Sequence, residues 1–429
     1  MQIQELYKIY KSSNGICTDT RKIEKDDLFV SIKGPNFNAN SFAKKALESG
    51  AIAAIVDDPS FHTNDGTILV GNGLDTLQEL AKYHRTQLNI PVISLTGSNG
   101  KTTTKELIKS VLSEKYNVFA TPGNLNNHIG VPLSILSITP EIEIAIIEMG
   151  ANHLGEIASL CQIALPTHGL ITNIGKAHIG EFGSFESIIR AKSELYDFLI
   201  KNEGVIFVNS NQDILMNMSG RMKNPIFYPG ENDYLHCKFL YANPFVNYES
   251  ESGSKVQTQI PGSYNFDNIA SALCVGKYFE ISDTQADNAI MSYVSDNNRS
   301  QIIQSGENTI ILDAYNANPS SMEAALENVF NYDSKKKAVI LGDMLELGDD
   351  SEREHAHIGQ LLDQNDIERA YLVGPFMKFA AEQCKKSLHF ESFDTLKDHL
   401  KTNKPDHLVL LIKGSRSMGL ERIVNTIVE

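Results

Sequence analysis

What this 429-residue chain lacks narrows it before any motif is read. Its five cysteines, Cys17, Cys161, Cys237, Cys274 and Cys384, are scattered, odd in number and form no CxxC pair. That excludes the usual disulfide framework and zinc spacings and predicts reduced thiols. No stretch approaches a membrane-spanning apolar run, and the first five residues carry no basic segment leading into one. Membrane insertion and secretion are not expected, and a cytoplasmic location is. Positive charge is in deficit as well: 38 Lys and Arg against 53 Asp and Glu leave −15. A broad nucleic-acid surface is therefore not expected, although a small cationic pocket fits within that balance. No internal repeat or low-complexity tract is present.

What remains is an α/β protein of ordinary composition, 41% hydrophobic and 21% charged, long enough for two or three domains. Residues 1–90 read as a small α/β unit, with strands over 27–32 and 51–56 and helices around 42–48 and 74–88. Between 91 and 298, apolar runs end repeatedly in polar residues: 144–147 into Glu148, 170–172 into Asn173, 205–208 into Asn209. Helical patterns between them predict a parallel, doubly wound sheet, whose ligands gather at the carboxyl ends of the strands. Residues 236–260 interrupt this with short alternating runs, an antiparallel excursion. A second α/β series fills 299–429, with 309–312 before Asp313, 338–341 before Asp343 and 408–412 before Lys413.

The most informative stretch is 96–103, Thr-Gly-Ser-Asn-Gly-Lys-Thr-Thr, between an apolar strand at 91–95 and a helical pattern carrying Leu107, Ile108, Val111 and Leu112. Strand, glycine turn and helix make a phosphate cradle. The backbone N–H groups of Gly97, Ser98, Asn99, Gly100 and Thr103 and the helix N-terminus face the anion, Lys101 reaches the terminal phosphates, and the Thr102 hydroxyl can ligate Mg²⁺. The commoner phosphate loop needs a glycine where this chain has Leu95, so the motif is a shortened one.

Further groups carry two readings each. Glu148, at a strand end, can hold Mg²⁺ against neighbouring phosphates or be a solvated acid. His178 can ligate a second metal or merely hydrogen-bond. Lys192 falls on the apolar stripe of a helix over 185–199; its stem packs there while the ammonium reaches water, or it is a partly buried amine of lowered pKa. Asn265 and Asn268, at a helix start, can read a base edge or cap the helix. Arg299 suits a phosphate or the surface. Polar turns at 313–322, 341–348 and 413–417 share one sheet edge, a ligand-facing rim. On residues alone this is an ATP-dependent enzyme with a cleft between domains.

With these pieces in order, the chain resembles the Mur ligase family over essentially its whole length. The shortened phosphate loop, the Glu148 segment, the Lys192 helix and the Asn265/Asn268 helix carry the general resemblance. The runs 123–130, 148–156, 313–322, 341–348 with His355, and 413–420 with Glu421 carry it to the branch that adds a D-alanyl-D-alanine unit. The resemblance implies an α/β fold of three domains: a small N-terminal UDP-sugar-binding domain (1–90), a central parallel-sheet ATPase (91–298) and a Rossmann-like C-terminal domain for D-Ala-D-Ala (299–429). It implies an acid–amino-acid ligase using ATP and two Mg²⁺ ions, joining D-alanyl-D-alanine to UDP-N-acetylmuramoyl-tripeptide through an acyl phosphate. Lys101 would act on the γ-phosphoryl, Thr102 and Glu148 hold one Mg²⁺, and His178 with a carbamylated Lys192 the second. Asn265 and Asn268 would meet adenine, Arg299 the phosphates and Asp313 the ribose side. Thr20, Arg21, Lys33 and Gly34 would meet the UDP-sugar, Asn126 and Asn127 would be substrate-binding, and Asn316, Asn318 and Ser321 would line the region of the dipeptide. A monomer is expected. The chain departs from the family at Asn38-Ala39-Asn40, at Tyr264, where histidine is frequent, and at 209–212.

Overall fold

The computed structural model describes residues 2–63, 65–295, 299–334, 336–406 and 408–428. Its centre is a six-stranded, all-parallel sheet in the order Ile226–Tyr228, Val205–Asn209, His168–Ile171, Val92–Thr96, Ile144–Glu148, Val118–Ala120. Every residue of Val92–Thr96 and Ile144–Glu148 is buried. Helices cover both faces, which is why these strands are continuous apolar runs instead of alternating ones. From Val92–Thr96 the chain visits the edge, returns beside its start at Ile144–Glu148, then crosses to His168–Ile171 on the other flank. That reversal opens a crevice at the carboxyl end of Val92–Thr96, where the phosphate loop begins.

The N-terminal unit is a four-stranded parallel sheet, Ile16–Cys17, Leu28–Val30, Ala53–Val56 and Thr67–Leu69, with a hairpin of Lys33–Gly34 and Phe37–Asn38. Its apolar core continues into the central sheet: Leu28, Leu77 and Leu80 share one cluster with Val131, Ala145 and Leu160. The helix Gly73–Gln87 packs on Gly130–Leu136 and Glu156–Ala164. Composition suggests a boundary near 90, yet packing runs straight through it.

The antiparallel excursion is a three-stranded sheet, Lys238–Ala242, Phe245–Glu249 and Lys255–Pro261. The C-terminal sheet runs in the order Gln301–Ser305, Asn308–Leu312, Val409–Lys413, Lys337–Gly342, Arg369–Val373, Ser387–Phe390, with only the first pair antiparallel. Separate apolar clusters cover its two faces. The strand expected over 27–32 shortens to Leu28–Val30, and the helix that carries Leu107, Ile108, Val111 and Leu112 begins at Lys101, directly after Gly100. Gln301–Ser305 and Ser387–Phe390 gave no sequence signal because each is only half-buried and lacks a clean alternation. No helix among the described residues is long and apolar enough to cross a membrane.

Candidate active site

The phosphate loop is bent by two glycines. Gly97 has φ +149° and Gly100 φ +76°, and a Cβ on them would lie 2.0 Å from Thr172 Oγ1 and 2.4 Å from Asn268 Oδ1. Neither position tolerates a side chain. The neighbouring strand end braces the loop: Ser98 N donates to the Asn173 carbonyl and Asn99 N to Asn173 Oδ1, each at 3.0 Å. Thr172 Oγ1 donates to the Asn99 carbonyl at 2.6 Å. Lys101 Nζ donates to the carbonyls of Gly97 (2.7 Å) and Ser98 (3.2 Å), so the ammonium sits in the mouth of the cradle. Desolvation pulls its pKa below the ordinary lysine value, with Glu148 opposing and Arg299 adding to the fall.

Glu148 is 1% exposed and fully engaged. Its Oε2 accepts from Thr102 Oγ1 at 2.8 Å and its Oε1 from Asn126 Nδ2 at 2.7 Å. Lys105 Nζ stands 3.8 Å from Oε2. Thr102 and Glu148 thus present hard oxygen donors beside the phosphate cradle. Such a pair fits Mg²⁺, which takes one or two protein ligands and keeps the rest of its shell for phosphate oxygens and water. Among the described residues no three His, Cys, Asp or Glu side chains gather into a metal cage.

Lys192 lies under the cavity floor, 2% exposed, with Nζ donating to the Ala151 carbonyl at 3.2 Å and standing 5.4 Å from the centre of the Phe182 ring. Burial, with the Lys101 charge, brings its pKa down to about 7. The ammonium does not reach water, as a stem-only packing would require. His178 sits at φ +55° with Nδ1 2.7 Å from Glu346 Oε2, a residue of the C-terminal region.

The C-terminal sheet edge faces the phosphate loop. Asn318 Nδ2 donates to Asn99 Oδ1 at 2.8 Å, while Asn318 Oδ1 caps the helix Pro319–Phe330 by accepting from Ser321 N. Lys176 N donates to Ser320 Oγ (3.2 Å) and Lys176 Nζ pairs with Glu354 at 3.1 Å. The Arg299 guanidinium lies 3.6 Å from the centre of the Tyr315 ring, and its buried Nε has no partner among the described residues. An orphaned guanidinium N–H beside a phosphate loop is suited to an anion.

One cavity of about 1150 Å³ joins these elements. Ser98 to Thr103, Asn126, Asn127, Glu148, His178, Asn265, Asn268, Arg299, Asp313, Asn316, Asn318 and Ser321 all line it. It is larger than a site for one small ligand, roughly 300–1,000 Å³. Gly97 and Lys192 do not line it. Asn268 Oδ1 accepts from Thr104 Oγ1 (2.9 Å), its Nδ2 donates to Asn265 Oδ1 (2.8 Å), and Asn265 Nδ2 donates to the Pro261 carbonyl (2.7 Å). Both amides therefore also brace the phosphate-loop helix. Thr20, Arg21, Lys33 and Gly34 do not line the cavity. Arg21 is tied to Asp19 (2.7 Å), Lys33 to Asp57 (3.0 Å), and Gly34 is on the exposed hairpin. Lys105 escapes sequence reading as a site residue, and Lys413, read only as the start of the rim turn 413–417, gives no sign there of its partners. Both follow polar or apolar runs that give no hint of which carbonyls and carboxylates they meet.

Residues 95–276 match the Mur ligase middle domain and residues 298–416 the Mur ligase, glutamate ligase domain. The UDP-N-acetylmuramoyl-tripeptide--D-alanyl-D-alanine ligase of Bacillus subtilis (strain 168) is 36% identical over 97% of this chain and 93% of its own length. The protein of the same name from Escherichia coli (strain K12) is 33% identical over 97% and 94%. Crystal structure I of MurF from Acinetobacter baumannii superposes with TM-score 0.89 at 30% identity, covering 100% of this chain and 98% of that one. MurF ligase from Thermotoga maritima in complex with ADP superposes with TM-score 0.85 at 28% identity, covering 97% of each chain.

Proposed function

Since the chain belongs to the Mur ligase family, we propose that it joins D-alanyl-D-alanine to UDP-N-acetylmuramoyl-tripeptide at the expense of ATP, making a peptidoglycan precursor. The observation that carries this reading is the single cavity walled by a phosphate loop, by the 123–130 turn and by the polar rim of the C-terminal sheet. A plain kinase has no use for the third wall.

The chemistry follows from the walls. The terminal carboxylate of the tripeptide takes the γ-phosphoryl of ATP, ADP leaves, and an acyl phosphate forms. The free amine of the dipeptide adds to that carbonyl carbon. The tetrahedral adduct expels inorganic phosphate and loses a proton to give the amide. Lys101, held in the loop mouth by the Gly97 and Ser98 carbonyls, balances charge on the γ-phosphoryl during transfer, and Arg299 offers its unpartnered Nε to the same anion. Mg²⁺, when bound, neutralises phosphate charge; Thr102 and Glu148 would hold one ion, and His178 with a carbamylated Lys192 a second. Carbamylation needs the neutral amine, which a pKa of about 7 supplies at neutral pH.

In this reading residues 1–90 bind the UDP-sugar through Thr20, Arg21, Lys33 and Gly34, and residues 91–298 bind ATP. Residues 299–429 bind the dipeptide at Asn316, Asn318 and Ser321. Asn126 and Asn127 contribute to substrate binding, Asn265 and Asn268 meet adenine, and Asp313 the ribose side. The protein works as a cytoplasmic monomer. The test is phosphate release from ATP, Mg²⁺ and UDP-N-acetylmuramoyl-tripeptide, expected only when D-Ala-D-Ala is added; equal release with a free single amino acid would overturn the substrate. Replacing Lys192 by Ala should depress turnover, with partial recovery on adding a short carboxylic acid. Undiminished activity in that variant removes the carbamate.

A further inference from the structure

The reaction as derived leaves one buried cation on the cavity wall without a task. Lys413 ends the strand Val409–Lys413, which lies between Asn308–Leu312 and Lys337–Gly342 in the C-terminal sheet. The chain passes from the first of these neighbours to the second by crossing over the strand that Lys413 ends. Its carboxyl end is therefore the switch point at which a parallel sheet opens a ligand crevice. Lys413 is 2% exposed, and its side chain is nonetheless part of the cavity wall.

Its Nζ makes two bonds that belong to different halves of the site. It donates to Asp313 Oδ2 at 2.6 Å and to the Asn316 carbonyl at 3.1 Å. Asp313 Oδ1 accepts from Ser300 N at 3.2 Å, and Ser300 Oγ meets Tyr264 OH at 2.7 Å. Ser300 directly follows Arg299, whose guanidinium stacks on Tyr315, two residues past Asp313. One ammonium thus sets the carboxylate on the nucleotide side and the strand end that carries Arg299. It also sets the turn that brings Asn316 and Asn318 to the amino-component side.

We propose that Lys413 is a positioning residue that couples the nucleotide half of the cavity to the amino-component half, by fixing Asp313 and the 314–318 turn together. It touches no reacting atom. Its effect is on where Asp313 and Asn316 stand, so it governs binding of both substrates and their mutual dependence. The proposal rests on the ligase reading above.

A buried ion pair can also be merely structural, and neutralising both partners then restores the fold and everything that depends on it. The test uses that difference. Lys413→Met, Lys413→Arg and the double variant Lys413→Met/Asp313→Asn are compared with the unaltered protein. The readouts are thermal midpoint, Mg·ADP dissociation constant by calorimetry, and KM for ATP and for D-Ala-D-Ala. Lys413→Met should raise the ADP dissociation constant and both KM values by about ten- to a hundredfold, the worth of a charged hydrogen bond, with a smaller change in kcat. The double variant should regain thermal midpoint but keep the high KM for D-Ala-D-Ala, because the Asn316 carbonyl remains unheld. Lys413→Arg should recover part of the dipeptide KM.

Recovery of both KM values along with the midpoint in the double variant would overturn the proposal, as would unchanged KM values in a folded Lys413→Met. If Lys413→Met does not fold, the double variant alone decides: a normal dipeptide KM refutes coupling and a raised one supports it. Should the unaltered protein release no phosphate with D-Ala-D-Ala, the ligase reading fails. The calorimetric arm then still tests the nucleotide half: unchanged ADP binding in a folded Lys413→Met refutes the positioning of Asp313.

Discussion

The central and C-terminal sheets are built alike, yet they use lysine differently. Each is parallel at its core, ends its middle strands in polar residues and buries a lysine at that end. In the central sheet Lys105 is 0% exposed and donates to the Thr121 (2.7 Å) and Gly123 (3.2 Å) carbonyls, 3.8 Å from Glu148. In the C-terminal sheet Lys413 holds the Asn316 carbonyl and Asp313. Both lysines therefore tie a turn to a carboxylate. The central sheet adds what the other lacks: Lys101, whose hydrogen-bond partners among the described residues are the carbonyls of its own loop. A tied lysine shapes a site, whereas a lysine at a cradle's mouth acts on what enters. On the proposed reading the two sheets divide chemistry from positioning.

The largest effect should come from breaking that division at Lys101. Lys101→Met is expected to cut the rate of phosphate release by about 10²–10³-fold, the usual loss for one charge-stabilising donor, with little change in thermal midpoint. A drop confined to KM would place Lys101 with the positioning lysines and dissolve the contrast.

Next is Lys105. Removing one partner of a buried charge pair costs about 3–5 kcal/mol, so Lys105→Met should lower the urea midpoint clearly. Adding Glu148→Gln should return part of that loss without restoring turnover, because Glu148 is also proposed to hold Mg²⁺. Full recovery of turnover in the double variant would show that the 121–123 turn does not need its tether.

A smaller effect is expected where the two sheets meet. A Cβ on Gly175 would lie 2.9 Å from Ser320 Oγ, at the same edge where Asn318 reaches Asn99. Gly175→Ala should raise KM for D-Ala-D-Ala by roughly two- to tenfold, in keeping with modest overpacking. Ser320→Ala in the same chain should relieve it. No change in KM would mean that the edge yields freely.

The same contrast explains what the sequence made legible. The phosphate loop was readable because its parts are contiguous: a buried strand, two glycines, Lys101 and a helix obey one local geometry. Glu148, Asn173 and Asp313 were readable as strand ends, since parallel strands bring such ends to one edge. The partners of Lys105, in the polar first turns of a helix, and of Lys413, at a strand end, were not, because they come from distant segments that only the strand order brings together. Lys413 and Asp313 lie a hundred residues apart. Only the insertion of Val409–Lys413 beside Asn308–Leu312 makes them neighbours. Packing across residue 90 was hidden for a related reason. Local composition changes there, but Leu77 and Leu80 pack into a core shared with the central sheet.

Lys192 supplies the smallest and sharpest test, because it is a third buried lysine with no carboxylate at hydrogen-bond distance among the described residues. Its pKa of about 7 lies below the ordinary lysine value, chiefly through desolvation and then through the Lys101 charge. Between these two pH values the unfolded chain binds the proton and the folded one does not. Stability from this group therefore rises with pH through that window and is lowest below about 7. The amine needed for carbamylation is likewise depleted as pH falls through the same value. Turnover should drop by about threefold between pH 7.5 and 6.5, roughly following one ionisation, and added bicarbonate should shift the profile to lower pH. In Lys101→Met one neighbouring positive charge is gone, so the Lys192 pKa should rise and the midpoint of the stability-versus-pH curve should move up. A profile indifferent to both bicarbonate and the Lys101 charge would return Lys192 to the tied class, with Lys105 and Lys413, held by the Ala151 carbonyl alone.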